Sequence, residues 1–213
     1  MIKIHLIKSY SNSYLIEMEK KVYLIDAGMD PKAKEIIEKI NKINKPLKYI
    51  FLTHEHIDHI RGLKKIKESF PQAKIVAHEN SIEYVKGEKI LLPKSFIYKI
   101  LSVFVKVDGV NVDLKVSKDY KLENVKIFHT PGHTSGSLSF LIEDNLFVGD
   151  LVITNKNNNL TFPPSKFNDD ESKMVESLKK LLKLEFNNLY VGHGNPKEEN
   201  GKTVLEKFLQ EVK

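Results

Sequence analysis

The sequence predicts a mixed α/β fold, with two β-sheets face to face and helices outside them. Three observations carry that reading. Short β-prone runs cluster in each half of the 213-residue chain, helical stretches flank each cluster, and residues 22–77 run strand, helix, strand, helix, strand. Hydrophobic residues are 41% and charged residues 29% of the chain, a balance that supplies a core and excludes a disordered polyelectrolyte. No Ser/Gly linker separates the halves, so one domain over residues 1–213 is expected.

The elements follow in order. Ile2–Ile7, Ser13–Met18 and Val22–Ile25 are β-prone runs separated by polar turns. Pro31 opens a helix in which Ala33, Ile36, Ile37, Ile40 and Ile43 recur at helical spacing. Tyr49–Leu52 is a compact strand, and the loop after it carries His54. A helix from about Arg61 to Ser69 and a strand at Lys74–Ala77 complete the first half. In the second half Leu122–His129, Leu138–Ile142, Leu146–Val148 and Leu189–Val191 read as strands. Met174–Leu184 and Thr203–Val212 read as helices.

Composition removes several classes of chemistry. With no cysteine, disulfide scaffolds, thiolate nucleophiles and Cys-ligated metals are out. No apolar run approaches the ~20 residues of a membrane span. The N-terminus lacks a small-residue cleavage site and reads as a strand pair, so the expected location is cytoplasmic. The net charge of +6 comes from lysines dispersed among 28 acidic residues, with Arg61 the one arginine. That pattern reads as a solvated surface, and neither a nucleic-acid nor a membrane partner is expected.

The chemistry concentrates in Thr53-His54-Glu55-His56-Ile57-Asp58-His59. Chance produces H-x-H-x-D-H roughly 0.0005 times in a chain of this composition. Imidazole nitrogens and carboxylate oxygens are good ligands for zinc and similar divalent ions, and a loop lets successive side chains fold back on one point. Four such groups exceed the three that one catalytic zinc takes, so two ions are expected, with further ligands from elsewhere. His133, Asp150 and His193 are candidates, each preceded by glycine, the latter two ending apolar β runs. Asp26 is expected to brace the ligand loop. Glu55 should face solvent, His5 should be a surface strand residue, and His129 should pack rather than ligate. His78 ends a strand on the ligand side.

The succession DAG, THEHIDH, HTPGHTSGS, GD and GHG, across residues 26 to 194, resembles the metallo-β-lactamase superfamily. The resemblance implies a four-layer αββα sandwich with a dinuclear metal centre along one edge. It implies that His54, His56 and His133 bind the first ion, that Asp58, His59 and His193 bind the second, and that Asp150 bridges. It implies two divalent ions, most readily zinc, with iron or manganese as alternatives. The hydroxyls of Thr130–Ser137 are expected to hold His133.

Such a centre ionises water near neutral pH and places positive charge where an oxyanion develops. Asp58 is the expected catalytic residue, orienting the nucleophile and passing a proton to the leaving group. The absence of cysteine sets the chain apart from the commonest zinc β-lactamases. The residues after Asp150, LVITNKNNNLTFPP, depart from the Gly-Arg-x-Asp usual in glyoxalase-II-like enzymes, and Ile153 stands where lactonases often carry Tyr. The expected activity is hydrolysis of a small ester-like molecule, thioester or lactone. The alternatives are a mononuclear iron dioxygenase acting on persulfides and a phosphodiesterase or nuclease. Residues 90–107 and 154–168 are the remaining features. The first is apolar on most faces of any helix drawn through it, which suits a core helix with homodimer contact. The sharper expectation is an apolar wall built from Phe104, Phe162 and Phe167 beside the metals.

Overall fold

The computed structural model describes residues 2–91 and 108–212. The apolar segment 94–106, with Phe104, lies outside the described residues. The chain divides into two compact units, Met1–Lys115 and Val116–Lys213.

The first unit is built on a sheet of β1 (Lys3–Lys8), β2 (Asn12–Glu17), β3 (Val22–Ile25), β4 (Leu47–Phe51), β5 (Lys74–His78) and β6 (Leu114–Val116), paired in that order. The first three strands form an antiparallel meander, after which β3, β4 and β5 run parallel. All four residues of β3 are buried, as expected of a strand covered on both faces. Leu24, Ile50 and Ile75 pack with Ile36 and Ile40 of helix α1 (Lys34–Ile43) and with Leu63 and Ile66 of a later helix. Each fully buried aliphatic side chain there contributes about 1.5–3 kcal/mol. Helix α1 begins three residues after Pro31 because Ala33 takes a left-handed conformation (φ 46°). The Asp30 carboxylate accepts from the Lys32 and Lys34 amides at 3.0 Å each, and these bonds hold its pKa below the usual value.

The expected helix at Arg61–Ser69 is α3 (Leu63–Ser69), preceded across Arg61 and Gly62 by a short helix not expected from the sequence, α2 (Ile57–Ile60). A β-carbon at Gly62 would lie 2.4 Å from the Ala27 carbonyl oxygen, so only glycine lets this turn close on the Asp26–Gly28 loop. A short helix, α4 (Ile82–Val85), follows β5.

The second unit carries a five-stranded sheet in the order β13-β10-β9-β8-β7. The expected single strand Leu122–His129 is a hairpin, β7 (Tyr120–Leu122) and β8 (Val125–His129), because Glu123 turns the chain with φ 54°. β9 (Leu138–Ile142) and β10 (Asn145–Gly149) continue antiparallel, and β13 (Asn188–Val191) lies parallel to β10. Residues 154–168 are not structureless. They contain part of a small hairpin, β11 (Ile153–Thr154) with β12 (Leu160–Thr161), and a 3₁₀ turn at Ser165–Phe167. Helices α5 (Glu171–Leu181) and α6 (Gly201–Glu211) bury Met174, Leu178, Leu181, Leu205 and Phe208 in a cluster with Leu146, Val148, Leu189 and Val191. No helix among the described residues is long and apolar enough to cross a membrane.

Candidate metal centre

In the first unit the donors sit on the segment that leaves β4, His54 and His56 in its loop and Asp58 and His59 in α2. His54 and His59 are 1% and 0% exposed, while the Asp58 side chain keeps 14% of its surface in solvent. Burying imidazoles and acids together is costly unless each polar atom is engaged. Asp26, at the end of β3, meets most of that cost. Its carboxylate accepts from the Thr53 amide (2.7 Å), the Thr53 hydroxyl (2.7 Å) and His59 Nδ1 (2.8 Å). Asp26 braces the loop as expected. The Thr53 hydroxyl proton is given to Asp26, so His54 Nδ1, 3.0 Å away, must donate to Thr53 Oγ1. Both rings thereby present Nε2 as the lone-pair nitrogen, the form that binds a metal ion. The Ser11 hydroxyl donates to the Asp58 carbonyl oxygen and ties the β1–β2 turn to the same loop.

In the second unit His133 Nδ1 lies 2.9 Å from Asn168 Oδ1. The Asn168 amide nitrogen donates to the Pro163 carbonyl (2.9 Å) and the Glu171 carboxylate (3.1 Å), which fixes its oxygen towards the ring. His133 therefore carries its proton on Nδ1 and its lone pair on Nε2. The hydroxyls of Thr130–Ser137 bond within and beside the turn that carries His133. Thr130 bonds Ser139, and Thr134 bonds Ser137, which closes the turn. Asp150 and His193 follow the parallel strands β10 and β13, cross-linked where the Gly192 amide donates to the Gly149 carbonyl at 2.8 Å.

The spacing of the donor atoms tests whether an ion fits. A tetrahedral ion with bonds of 2.0–2.1 Å separates its ligand atoms by about 3.3–3.4 Å. His54 Nε2 and His56 Nδ1 are 3.1 Å apart, and His59 Nε2 and Asp58 Oδ2 are 3.5 Å apart. In the second unit Asp150 Oδ2 lies 3.2 Å from His193 Nε2 and 3.7 Å from His133 Nε2. Each unit thus carries nitrogen and oxygen donors at the edge lengths of a coordination polyhedron. The residues fit a divalent metal.

Three expectations outside the donor set change. Glu55 is 3% exposed, not solvent-facing, and accepts from the Ser81 hydroxyl at 2.8 Å. His5 is 12% exposed in its side chain, and its Nε2 hydrogen-bonds the Glu17 carboxylate at 2.8 Å, a half-buried contact rather than a bare surface residue. Phe162 packs edge-on against Phe208 with centroids 5.1 Å apart, so it is engaged with the helical core of its unit. His78 accepts from the Asn80 amide through Nδ1 and caps the 79–81 turn, and His129 Nε2 meets the Ser135 carbonyl at 3.0 Å. Asn168 is the site residue that sequence reasoning missed. Its only signal was membership of an Asn- and Pro-rich loop.

The family model described as metallo-beta-lactamase superfamily matches residues 7–193. The chain belongs to the metallo-β-lactamase superfamily. By class it is a metal-dependent hydrolase. YobT of Bacillus subtilis, an uncharacterized protein, is 34% identical over 141 residues, 65% of this chain and 60% of that protein. The probable metallo-hydrolase YflN, also of Bacillus subtilis, is 29% identical across 87% of this chain and 81% of its own length. Hydroxyacylglutathione hydrolase of Pelagibacter ubique is 28% identical across 92% of this chain and 73% of that enzyme. Among solved structures, the BLEG-1 B3 metallo-β-lactamase aligns with a TM-score of 0.74 at 22% identity, covering 98% of this chain and 99% of that one. The fold is that of the superfamily.

Proposed function

We propose that this metallo-β-lactamase-superfamily chain hydrolyses a small thioester, with a lactone as the next substrate class, at a dinuclear centre. One ion would be held by His54, His56 and His133, the other by Asp58, His59 and His193, with Asp150 between them. The proposed ions are zinc, with iron or manganese as alternatives. The observation that carries the reading is the spacing of donor pairs: 3.1 and 3.5 Å in the first unit, 3.2 and 3.7 Å in the second. The preference for a thioester rests on the hydroxyacylglutathione hydrolase relative, which aligns over 92% of this chain.

Divalent ions bound there supply water ionised near neutral pH and positive charge facing the developing oxyanion. The chain's own residues do the rest. Asp26, Thr53 and Asn168 keep the protons of His59, His54 and His133 on Nδ1. Asp58 is the solvent-touching carboxylate of its loop, able to orient the incoming water, accept its proton and return it to the leaving thiolate.

The test is elemental analysis of purified protein, followed by turnover of a hydroxyacylglutathione, a lactone, a phosphodiester and a persulfide. Two ions per chain with thioester or lactone turnover are expected. One iron with oxygen consumption on the persulfide, or turnover of the phosphodiester alone, overturns the proposal.

A further inference from the structure

The second unit contains a cavity of about 570 Å³ that none of the metal-donor residues lines. Its walls come from the tip of the β11–β12 hairpin (Asn158, Asn159), the segment after β13 (Lys197, Glu198) and one face of helix α6 (Lys207, Glu211). The volume lies within the roughly 300–1,000 Å³ of small-molecule sites. Lys197 is the unusual member. It is 8% exposed, and backbone bonds in both directions with Leu189 (2.8 Å each) hold it rigidly. Its ammonium donates to the Asn158 carbonyl oxygen, which occupies one of three N–H groups. Burial pushes its pKa below the usual lysine value, and the ammonium's partner among the described residues is a neutral carbonyl.

The rest of the lining says what would compensate it. Lys207 and Glu211 lie one helical turn apart, both exposed, with no ion-pair partner among the described residues. Glu198 is also exposed, and its carboxylate accepts from the Tyr190 hydroxyl at 3.3 Å. Two lysines and two glutamates are among the residues that line one cavity. A simple anion would meet Glu198 and Glu211, and a simple cation would meet Lys197 and Lys207. We propose that this cavity is a second ligand site, taking a small zwitterion of the amino-acid or short-peptide class. The ligand's carboxylate pairs with Lys197 and Lys207, its ammonium with Glu198 and Glu211, and the Asn158 and Asn159 amides bond what lies between. The site is distinct from the metal donors in its residues and needs no metal.

Isothermal titration tests this on the metal-loaded protein and again after chelator treatment. The probes are glycylglycine and L-glutamine, with acetate and methylammonium as half-ligands. Saturable binding of a zwitterion is expected, equal with and without metal and stronger than that of either half-ligand. Lys197→Met should weaken it about tenfold or more, as loss of a buried charge partner does. If Lys197→Met fails to fold, the exposed substitutions Lys207→Met and Glu211→Gln carry the test, each weakening binding several-fold. The proposal is overturned by no binding of either zwitterion up to about 10 mM, a free energy under ~3 kcal/mol. Binding that vanishes with the metal, or that ignores all three substitutions, overturns it equally.

Discussion

Asp26 accepts the Nδ1 proton of His59 at 2.8 Å, joining the end of one strand to a donor 33 residues further along the chain. The same carboxylate takes the amide and hydroxyl of Thr53, so one side chain sets the position of the loop and the tautomers of two rings. Asp26→Ala leaves three buried donors without an acceptor. The expected cost is roughly 3–5 kcal/mol, read as a large fall in Tm of metal-free protein. A melting temperature within a degree or two of wild type would remove Asp26 from this role.

Asn168 acts on His133 as Asp26 acts on His59. Asn168→Ala should weaken metal binding by about 10–100-fold, the usual effect of losing a partner behind a ligating histidine. Asn168→Asp supplies another acceptor and should restore most of it. Competition against a chromogenic chelator measures both, and equal affinities for Ala and Asp would show that the hydrogen bond is irrelevant.

Asp58→Ala should leave the fold unchanged, lower the metal content and reduce kcat about 10²–10⁴-fold. Circular dichroism, elemental analysis and steady-state rates separate the three effects. Unimpaired turnover would exclude Asp58 from proton transfer.

Asp150→Asn replaces a charged oxygen donor by a neutral amide. Loss of at least one ion per chain is expected, with Asp150's contacts to His193 and His133 weakened together. Identical loading of wild type and variant would count against a bridging role.

Glu17 provides a pH test remote from the metal donors. Hydrogen bonds from Lys45 and then His5 lower its pKa from 4.5 to about 2. A carboxylate depressed on folding contributes stability that is full above about pH 4.5 and is lost as pH falls towards 2. Acid unfolding of Glu17→Gln, compared with wild type between pH 5 and 2, should show a shallower pH dependence. Parallel curves would show that Glu17 contributes nothing there.

The sequence displayed the donors because their chemistry is local: three histidines and an aspartate within six positions cannot be a packing motif. The strands were legible where apolar runs are bounded by turns, as Val22–Ile25 shows. What escaped is long-range or conformational. Glu55 looks solvent-facing between two ligands, yet it is buried and accepts from Ser81, 26 residues away. Asn168 reaches His133 across 35 residues. The break at Glu123 depends on a left-handed backbone in a residue type that gives little warning of it.

Gly149 and Val191 are register partners in parallel strands, and Asp150 and His193 lie one and two residues beyond them. A parallel strand advances about 3.3 Å per residue and alternates the face it shows. Deleting one residue from β13 would therefore retract His193 by that distance and turn it over. A deletion of the same size at the hairpin tip near Asn158 would leave both donors in place. Gaps in related chains should accordingly gather at Asn155–Asn159 and spare β10 and β13, so that spacing inside the strands, more than residue identity around them, decides whether the pair survives divergence.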